Sequence, residues 1–208
     1  NERKDENEEL MINMIGGEPL LEFGIIQFIV SKMQENFKIN HINNKLRFEI
    51  SSNIINLNEE KINYLKNNNF SVYASIDGIK KYHELNRVDV FGNCHYEKIF
   101  INLMKLREKQ VPIVVNMVIT PNNVSGLIKN FLYLYRELNI DDISINFAYE
   151  QDWDSESLAS LVQQVNVLCQ IYYNIIVYKK GGFFLNVIDD QIIRTLKANR
   201  KLDINYCG

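Results

Sequence analysis

The sequence predicts an α/β fold in which parallel strands form a sheet and helices lie outside it. Three observations support this prediction. Strand-length apolar runs alternate with segments of helical period, five such strand–helix pairs follow one another, and each pair occupies about 30 residues, as a βαβ unit requires. The run at 112–120, PIVVNMVIT, is nearly all apolar and β-branched, which is typical of a parallel strand covered on both faces.

Each predicted element has its own sequence signal. Leu10–Ile15 is a short apolar run that ends at a Gly-Gly pair, which indicates a strand, and Leu20–Phe37 has apolar residues near helical spacing. Asn58 is expected to cap a helix that ends near Lys66. The other predicted strands are Lys45–Ser52, Phe70–Asp77, Pro112–Thr120 and Asp142–Ala148. The other predicted helices are Lys80–Leu85, Tyr96–Lys109, one from Asn123 or Ser125 to Leu138, Ser155–Tyr178 capped by Asp154 or Ser155, and Asp189–Asn199, while Phe183–Val187 is ambiguous.

Composition excludes several classes of protein. The chain of 208 residues is 46% hydrophobic, so it can bury a core. Its net charge is -3, so it lacks the excess of basic residues that is typical of nucleic-acid-binding proteins. Its apolar runs are shorter than the roughly 18 residues of a membrane span, and its charged start is unlike a signal peptide. Three scattered cysteines, Cys94, Cys169 and Cys207, suit a reducing compartment, so a cytoplasmic location is expected.

The unusual residues of the chain gather at predicted strand ends, where parallel α/β folds bind ligands. Gly16-Gly17 allows a ligand to approach the backbone closely, and Glu18 adds an acceptor. A tight turn with Glu18 at a helix start is the alternative interpretation. Ser52-Asn53 ends the second predicted strand.

Two further strand ends carry polar side chains. Ser75 and Asp77 share one strand face and suit the hydroxyl and carboxylate groups of a polar cofactor, although Asp77-Gly78 is also a common turn. Arg87 can hold a carboxylate in a bidentate manner or form a surface ion pair. His83 and His95 have no metal-ligand spacing and are expected on the surface, and Cys94 and Cys169 are expected to be buried or half-buried. No catalytic acid or base stands out.

Taken in order, these motifs resemble the radical S-adenosylmethionine (radical SAM) superfamily, in the branch with SPASM-type domains that includes peptide maturases and anaerobic sulfatase-maturating enzymes. GGEPLL at Gly16–Leu21 is similar to that family's GGE motif, and Ser52-Asn53 to the Thr-Asn of its TNG strand end. SIDG at 75–78 is similar to its SLDG motif. Residues 82–87 and 92–99 are similar to its xHDxxR and GxGSYxxI motifs.

The resemblance implies a partial (β/α)6 TIM-like barrel whose first βα unit is missing from this chain. It also implies S-adenosylmethionine as the cofactor, bound by Gly16, Gly17, Glu18, Ser52, Asn53, Ser75, Asp77, Arg87 and a backbone contact near Ala148. Tyr206-Cys207-Gly208 resembles the YCGxG that opens the SPASM region, so Cys207 would ligate an auxiliary iron–sulfur cluster in the full-length protein. Residues 1–203 would then be the partial core barrel, and 204–208 the start of the auxiliary-cluster region.

For the parent enzyme, the resemblance implies reductive cleavage of S-adenosylmethionine at a [4Fe–4S] cluster. The 5′-deoxyadenosyl radical would then abstract hydrogen from a peptide or protein side chain. The sequence departs from the family at Ile54, where the family has the Gly of TNG, at Glu84, where it has the Asp of HD, and in lacking a C-x-x-x-C-x-x-C motif. We therefore expect an internal segment of a longer enzyme that is inactive alone, binds no cluster, and dimerises through an open barrel edge.

Two other functions stay open on the sequence alone. One is a cluster-less relative that serves as a peptide-binding scaffold. The other is an unrelated α/β-barrel enzyme whose GGE and SIDG strand ends bind a phosphorylated small molecule, although no catalytic lysine at a strand end supports it.

Overall fold

The structure is a computed structural model, and it describes residues 9–40, 45–179 and 183–198. The strands within these ranges are β1 (Leu10–Met14), β2 (Leu46–Ser52), β3 (Phe70–Ser75), β4 (Ile113–Ile119), β5 (Asp142–Phe147) and β6 (Phe184–Leu185). The helices are α1 (Phe23–Ile39), α2 (Glu59–Asn67), α3 (Lys80–His83), α4 (Tyr96–Glu108), α5 (Leu127–Leu132), α6 (Ser155–Lys179) and α7 (Asn186–Ala198). Short 3-10 turns at Pro19–Glu22 and Val124–Gly126 lead into α1 and α5, and a π-helical turn at Tyr133–Glu137 follows α5.

The six described strands form one sheet in chain order, β1-β2-β3-β4-β5-β6. The register of β1 with β2, of β2 with β3 and of β5 with β6 is parallel, with Leu10 opposite Leu46 and Phe48 opposite Phe70. The predicted α/β class with a parallel sheet and connecting helices is therefore confirmed.

The count of five strands was one short. The segment at 183–187, which the sequence left ambiguous, contains β6, and this strand pairs with the first two residues of β5. A strand of two residues is too short to show alternation, so its pattern could not be recognised from the sequence. The predicted auxiliary-cluster region at 204–208, with Cys207, lies outside the described residues.

Two compact units make up the described chain: residues up to Ile76 together with Arg87–Val115, and Asp77–Asn86 together with residues from Asn116 onward. In the first unit the helices cover one sheet face. Phe48 and Phe70 stack at 5.1 Å between ring centroids, and Tyr64 of α2 meets both Phe70 and Phe23 of α1. This face carries the buried side chains of β2 and β3, which are Phe48, Ile50, Ser52, Phe70, Val72 and Ala74.

Local side-chain chemistry sets the helix ends as expected. The Asn58 side chain accepts a hydrogen bond from the Lys61 amide at 2.8 Å and caps α2. Asp154, rather than Ser155, caps α6 by accepting from the Ser157 amide at 2.8 Å, and this bond lowers the pKa of Asp154. Among the described residues, no helix has the length and apolarity needed to cross a bilayer.

Candidate functional site

The Gly16-Gly17 pair lies in an exposed loop between β1 and the 3-10 turn that precedes α1. Gly16 has φ +151°, which side-chain-bearing residues rarely adopt. A Cβ added at either glycine would meet no atom within 4 Å, so the space beside both peptide groups is open. This loop can therefore receive a ligand directly against its backbone.

The Glu18 carboxylate holds that loop against the end of β2. Its Oε1 accepts from the Ser52 hydroxyl at 2.6 Å and from the Leu20 amide at 3.2 Å, and its Oε2 accepts from the Asn53 amide at 2.9 Å. Three donors of the chain itself thus converge on one part-buried carboxylate. The alternative interpretation of Glu18 as a helix-start residue is correct in geometry, because Glu18 is the N-cap of the 3-10 turn. A contact between Glu18 and a cofactor stays a prediction.

The turn after β2 uses the same hydrogen-bond chain. The Ser52 hydroxyl accepts from the Ile54 amide at 2.8 Å while donating to Glu18, and the Asn53 side chain accepts from the Ile55 amide at 3.0 Å. Ile54 has φ +54° and is fully buried, and its carbonyl accepts from Asn102 of α4 at 2.7 Å. A left-handed turn therefore forms even though Ile54 replaces the glycine of the resembling motif.

The left-handed Ile54 gives a prediction that compares two substitutions at one position. In Ile54→Ala the left-handed strain remains and costs about 1–2 kcal/mol. Ile54→Gly relieves this strain, but it removes one more buried methyl group (about 0.8 kcal/mol) and adds about 0.5–1 kcal/mol in backbone entropy cost, so the two variants should be about equally stable. We expect the free energies of unfolding of Ile54→Gly and Ile54→Ala to differ by no more than about 0.5 kcal/mol. Each should be about 2–4 kcal/mol lower than that of the parent protein. Urea denaturation measures both. At a site without left-handed strain, glycine would be less stable than alanine by about 1.5 kcal/mol. A difference of that size would show that Ile54 is not strained.

Ser75 and Arg87 belong to the same compact unit as the Gly16-Gly17 loop. Ser52 of β2 lies opposite Ala74 of β3, so the next residues, Asn53 and Ser75, lie beside each other at the carboxyl ends of these strands. Both side chains are half-buried. Arg87 is also half-buried, and it opens the loop that leads into α4.

Asp89 orders that loop. One carboxylate oxygen accepts from the Phe91 and Asn93 amides, both at 2.8 Å, and the other lies 3.2 Å from Nε2 of His95. The hydrogen bond from the Asn93 amide is the main cause that lowers the pKa of Asp89 to about 2. Val90 and Phe91 consequently project from an ordered turn, at 93% and 85% exposure.

Asp77 lies in the second compact unit and is fully buried. Its Oδ1 accepts from the Val118 amide at 2.9 Å, and its own amide donates to Nδ1 of His83 at 3.3 Å. The expectation that His83 lies on the surface was wrong, because this ring is also fully buried. Cys94 is half-buried as expected, but Cys169 is exposed. A cofactor contact by Asp77 stays a prediction.

Ala148 follows β5 in the second unit, and its peptide groups already have partners. Its amide donates to the Ile119 carbonyl at 2.9 Å, and its carbonyl accepts from the Trp153 indole at 2.8 Å. A backbone contact to an adenine ring would therefore use the second lone pair of the carbonyl. That contact also stays a prediction.

The first compact unit thus brings together Gly16, Gly17 and Glu18 with Ser52 and Asn53. Two grooves on the described surface lie elsewhere. One of about 410 Å³ lies between the π-helical turn and α6, and another of about 640 Å³ lies at the amino ends of β2 and β3. No group of three His, Cys, Asp or Glu side chains among the described residues is placed to hold a metal ion.

Comparison with known proteins gives relatives of one kind, although no protein-family model matches the chain. The cysteine-type anaerobic sulfatase-maturating enzyme of Clostridium perfringens (strain 13 / Type A) is 29% identical over 118 residues, which cover 57% of this chain and 31% of that protein. The corresponding enzyme of Clostridium novyi (strain NT) is 28% identical over 122 residues, which cover 59% of this chain and 32% of that protein. The matched part spans about a third of the length of these curated relatives.

Solved structures share the fold. Native anSMEcpe with bound AdoMet and Kp18Cys peptide superposes with a TM-score of 0.76 at 20% identity, over 95% of this chain and 54% of that chain. Native anSMEcpe with bound AdoMet gives a TM-score of 0.76 at 21% identity, over 97% of this chain and 55% of that chain. The chain is therefore similar in sequence to anaerobic sulfatase-maturating enzymes over more than half of its length, and it shares the fold of the solved anSMEcpe structures.

Proposed function

We propose that this chain binds S-adenosylmethionine at the Gly16-Gly17 loop and that the whole protein modifies a peptide or protein side chain. The observation that carries the proposal is the open space beside Gly16 and Gly17, in a loop fixed to β2 by Glu18. The relatives support it, because anSMEcpe is solved with bound AdoMet and with a peptide.

The residues present suit the methionyl end and the ribose of this cofactor. Gly16 and Gly17 are exposed residues, and peptide carbonyls can accept hydrogen bonds from an ammonium group. Asn53 and Ser75 offer neutral polar groups beside them, and Arg87 offers a guanidinium for a carboxylate. Once reduced by one electron from an iron–sulfur cluster of the whole protein, S-adenosylmethionine held here would supply the radical for hydrogen-atom abstraction. The role of this chain is to bind and orient the cofactor through these groups, with Glu18 as a positioning residue.

A glycine substitution tests the proposal without disturbing the fold. Gly17→Ala adds a methyl group that meets no atom of the chain, so the free energy of unfolding should change by less than about 0.5 kcal/mol. That methyl group would occupy the space proposed for the ligand. We expect Gly17→Ala to weaken S-adenosylmethionine binding by about tenfold or more, equivalent to ~1.4 kcal/mol. Titration of 15N-labelled protein, followed by NMR at the amides of residues 16–18, 53 and 75, measures this.

Gly24→Ala is the matched control, because Gly24 is exposed in α1 and also has no atom within 4 Å of an added Cβ. It should stabilise α1 by about 0.5–1 kcal/mol and leave the affinity for S-adenosylmethionine unchanged. Equal affinity in both variants would contradict the proposed site. Ribose 5-phosphate serves as a second titrant, and saturable binding of that compound in place of S-adenosylmethionine would favour a phosphate-binding barrel enzyme.

A further inference from the structure

A lysine of α2 makes a second attachment between the Gly16-Gly17 loop and the end of β2. The Lys61 ammonium donates to the Leu20 carbonyl at 2.8 Å and to the Asn56 carbonyl at 3.0 Å. Leu20 lies in the 3-10 turn that continues the loop, and Asn56 lies in the turn after β2, as Asn53 does. One side chain therefore joins the chain segment after the two glycines to the turn beside them.

The Lys61 side chain is itself held at both ends. The Lys61 amide donates to the side chain of Asn58, the N-cap of α2, at 2.8 Å. The ammonium lies 5.4 Å from the centre of the Phe23 ring at the start of α1, which is within cation–π range. The Phe23 ring in turn meets the Tyr64 ring of α2 edge-on at 5.3 Å. Lys61 therefore has a defined position between α1, α2 and the loop.

Charged side chains bind both backbone polar groups of the buried Leu20. Its amide donates to the Glu18 carboxylate at 3.2 Å, and its carbonyl accepts from the Lys61 ammonium. Hydrogen bonds to charged groups are stronger than those between neutral groups, and both of these bonds are part-buried. Among residues 9–40, 45–179 and 183–198, no acid forms an ion pair with Lys61, so its charge acts on these carbonyls and on the Phe23 ring. Leu20 is thus a fixed point directly after the Gly16-Gly17 loop.

We propose that Lys61 is a positioning residue for S-adenosylmethionine, because its ammonium holds the Leu20 carbonyl and thereby orders the Gly16-Gly17 loop that receives the cofactor. The inference rests on the proposed function, since it concerns the same site. Lys61 acts through Leu20 and not by contact with the ligand. A loop that is ordered in advance loses less conformational entropy when a ligand binds, so the ordered loop gives a higher affinity. Removing the ammonium should therefore weaken binding while the protein stays folded.

Lys61→Met tests the inference, because methionine keeps most of the apolar stem beside Phe23 and removes the ammonium. We expect this variant to bind S-adenosylmethionine about fivefold to tenfold more weakly, in titrations under conditions where urea denaturation shows it to be folded. Without cofactor, the Leu20 and Leu21 amides, which donate to the carboxylate and the carbonyl of Glu18, should exchange with solvent about tenfold faster. Lys61→Arg supplies a cationic donor again and should restore both values to within about threefold of the parent protein. A role in stability alone would not change the affinity of the folded variant.

The control is Lys66→Met, which removes an equal charge from an exposed position in the same helix and should change neither the affinity nor the exchange rates. If the parent protein binds S-adenosylmethionine and Lys61→Met binds it equally well, only the inference about Lys61 is wrong. Unchanged exchange of the Leu20 and Leu21 amides in Lys61→Met would also overturn it. If the parent protein binds no S-adenosylmethionine, but exchange is faster in Lys61→Met and normal in Lys61→Arg, only the cofactor proposal fails, and Lys61 remains the residue that orders the loop.

Discussion

Gly78→Ala should destabilise the protein by about 4 kcal/mol or more, which is a large share of the roughly 5–15 kcal/mol that stabilises an ordinary domain. Gly78 has φ +114°, and a Cβ added there would lie 2.3 Å from Cβ and 2.4 Å from Cγ of Asn130. Asn130 is fully buried and cannot move freely, because its Oδ1 accepts from the Ile79 amide at 3.1 Å. The substitution thus combines backbone strain, a steric clash and the loss of a hydrogen bond between the loop and α5.

Two other glycines separate these contributions. Gly92 has φ +81° but no atom within 4 Å of an added Cβ, so Gly92→Ala isolates the backbone strain and should cost about 1–2 kcal/mol. Gly126 has no left-handed φ, but its added Cβ would lie 2.4 Å from the Tyr82 ring, so Gly126→Ala isolates a clash. Urea denaturation of the three variants gives the comparison. If Gly78→Ala and Gly92→Ala have the same free energy of unfolding, the contact with Asn130 adds no cost and the prediction is wrong.

Glu18→Ala should lower the free energy of unfolding by about 3 kcal/mol, because it leaves three donors without their acceptor. The Ser52 hydroxyl and the Asn53 amide are the part-buried donors at the end of β2, and the Leu20 amide is the third. Glu18→Gln retains one oxygen but sets an NH2 group against a donor, so it should cost about 1–2 kcal/mol. Both variants should also weaken S-adenosylmethionine binding, because the Gly16-Gly17 loop loses its attachment to β2.

Glu22→Ala is the control for this prediction. Glu22 is an exposed acid at the end of the same 3-10 turn and should change the stability by less than about 0.5 kcal/mol. Chemical denaturation, together with amide hydrogen exchange at Asn53, distinguishes the two acids. If Glu18→Ala unfolds at the same urea concentration as Glu22→Ala, the carboxylate does not fix the loop.

The sequence predicted the fold well because its signals are local. Alternation along β2 and β3, the helical spacing in α1 and the cap at Asn58 each depend on residues within a few positions of one another. Strand β6 could not be predicted in this way, because two residues cannot show a period.

The interactions that shape the site were harder to predict because they join distant positions. The partners of Glu18 at the end of β2 lie more than thirty residues away, and Lys61 lies 41 residues after Leu20, to whose carbonyl it donates. The burial of His83 could not be predicted for a similar reason. Nothing in the sequence around a polar residue of a short helix indicates that distant elements will bury it. Open space beside Gly16 and Gly17 is likewise a property of the folded chain, although the glycine pair itself was visible.

The order of the strands in the sheet has a consequence for how the chain acquires its structure during synthesis. Each strand pairs with the one made just before it, as Leu46 does with Leu10 and Phe70 with Phe48. Among the described strands, none must wait for a later one to be inserted beside it. The nascent polypeptide can therefore add one strand and its helix at a time as it leaves the ribosome, and each addition shields the apolar surface of the preceding one from aggregation.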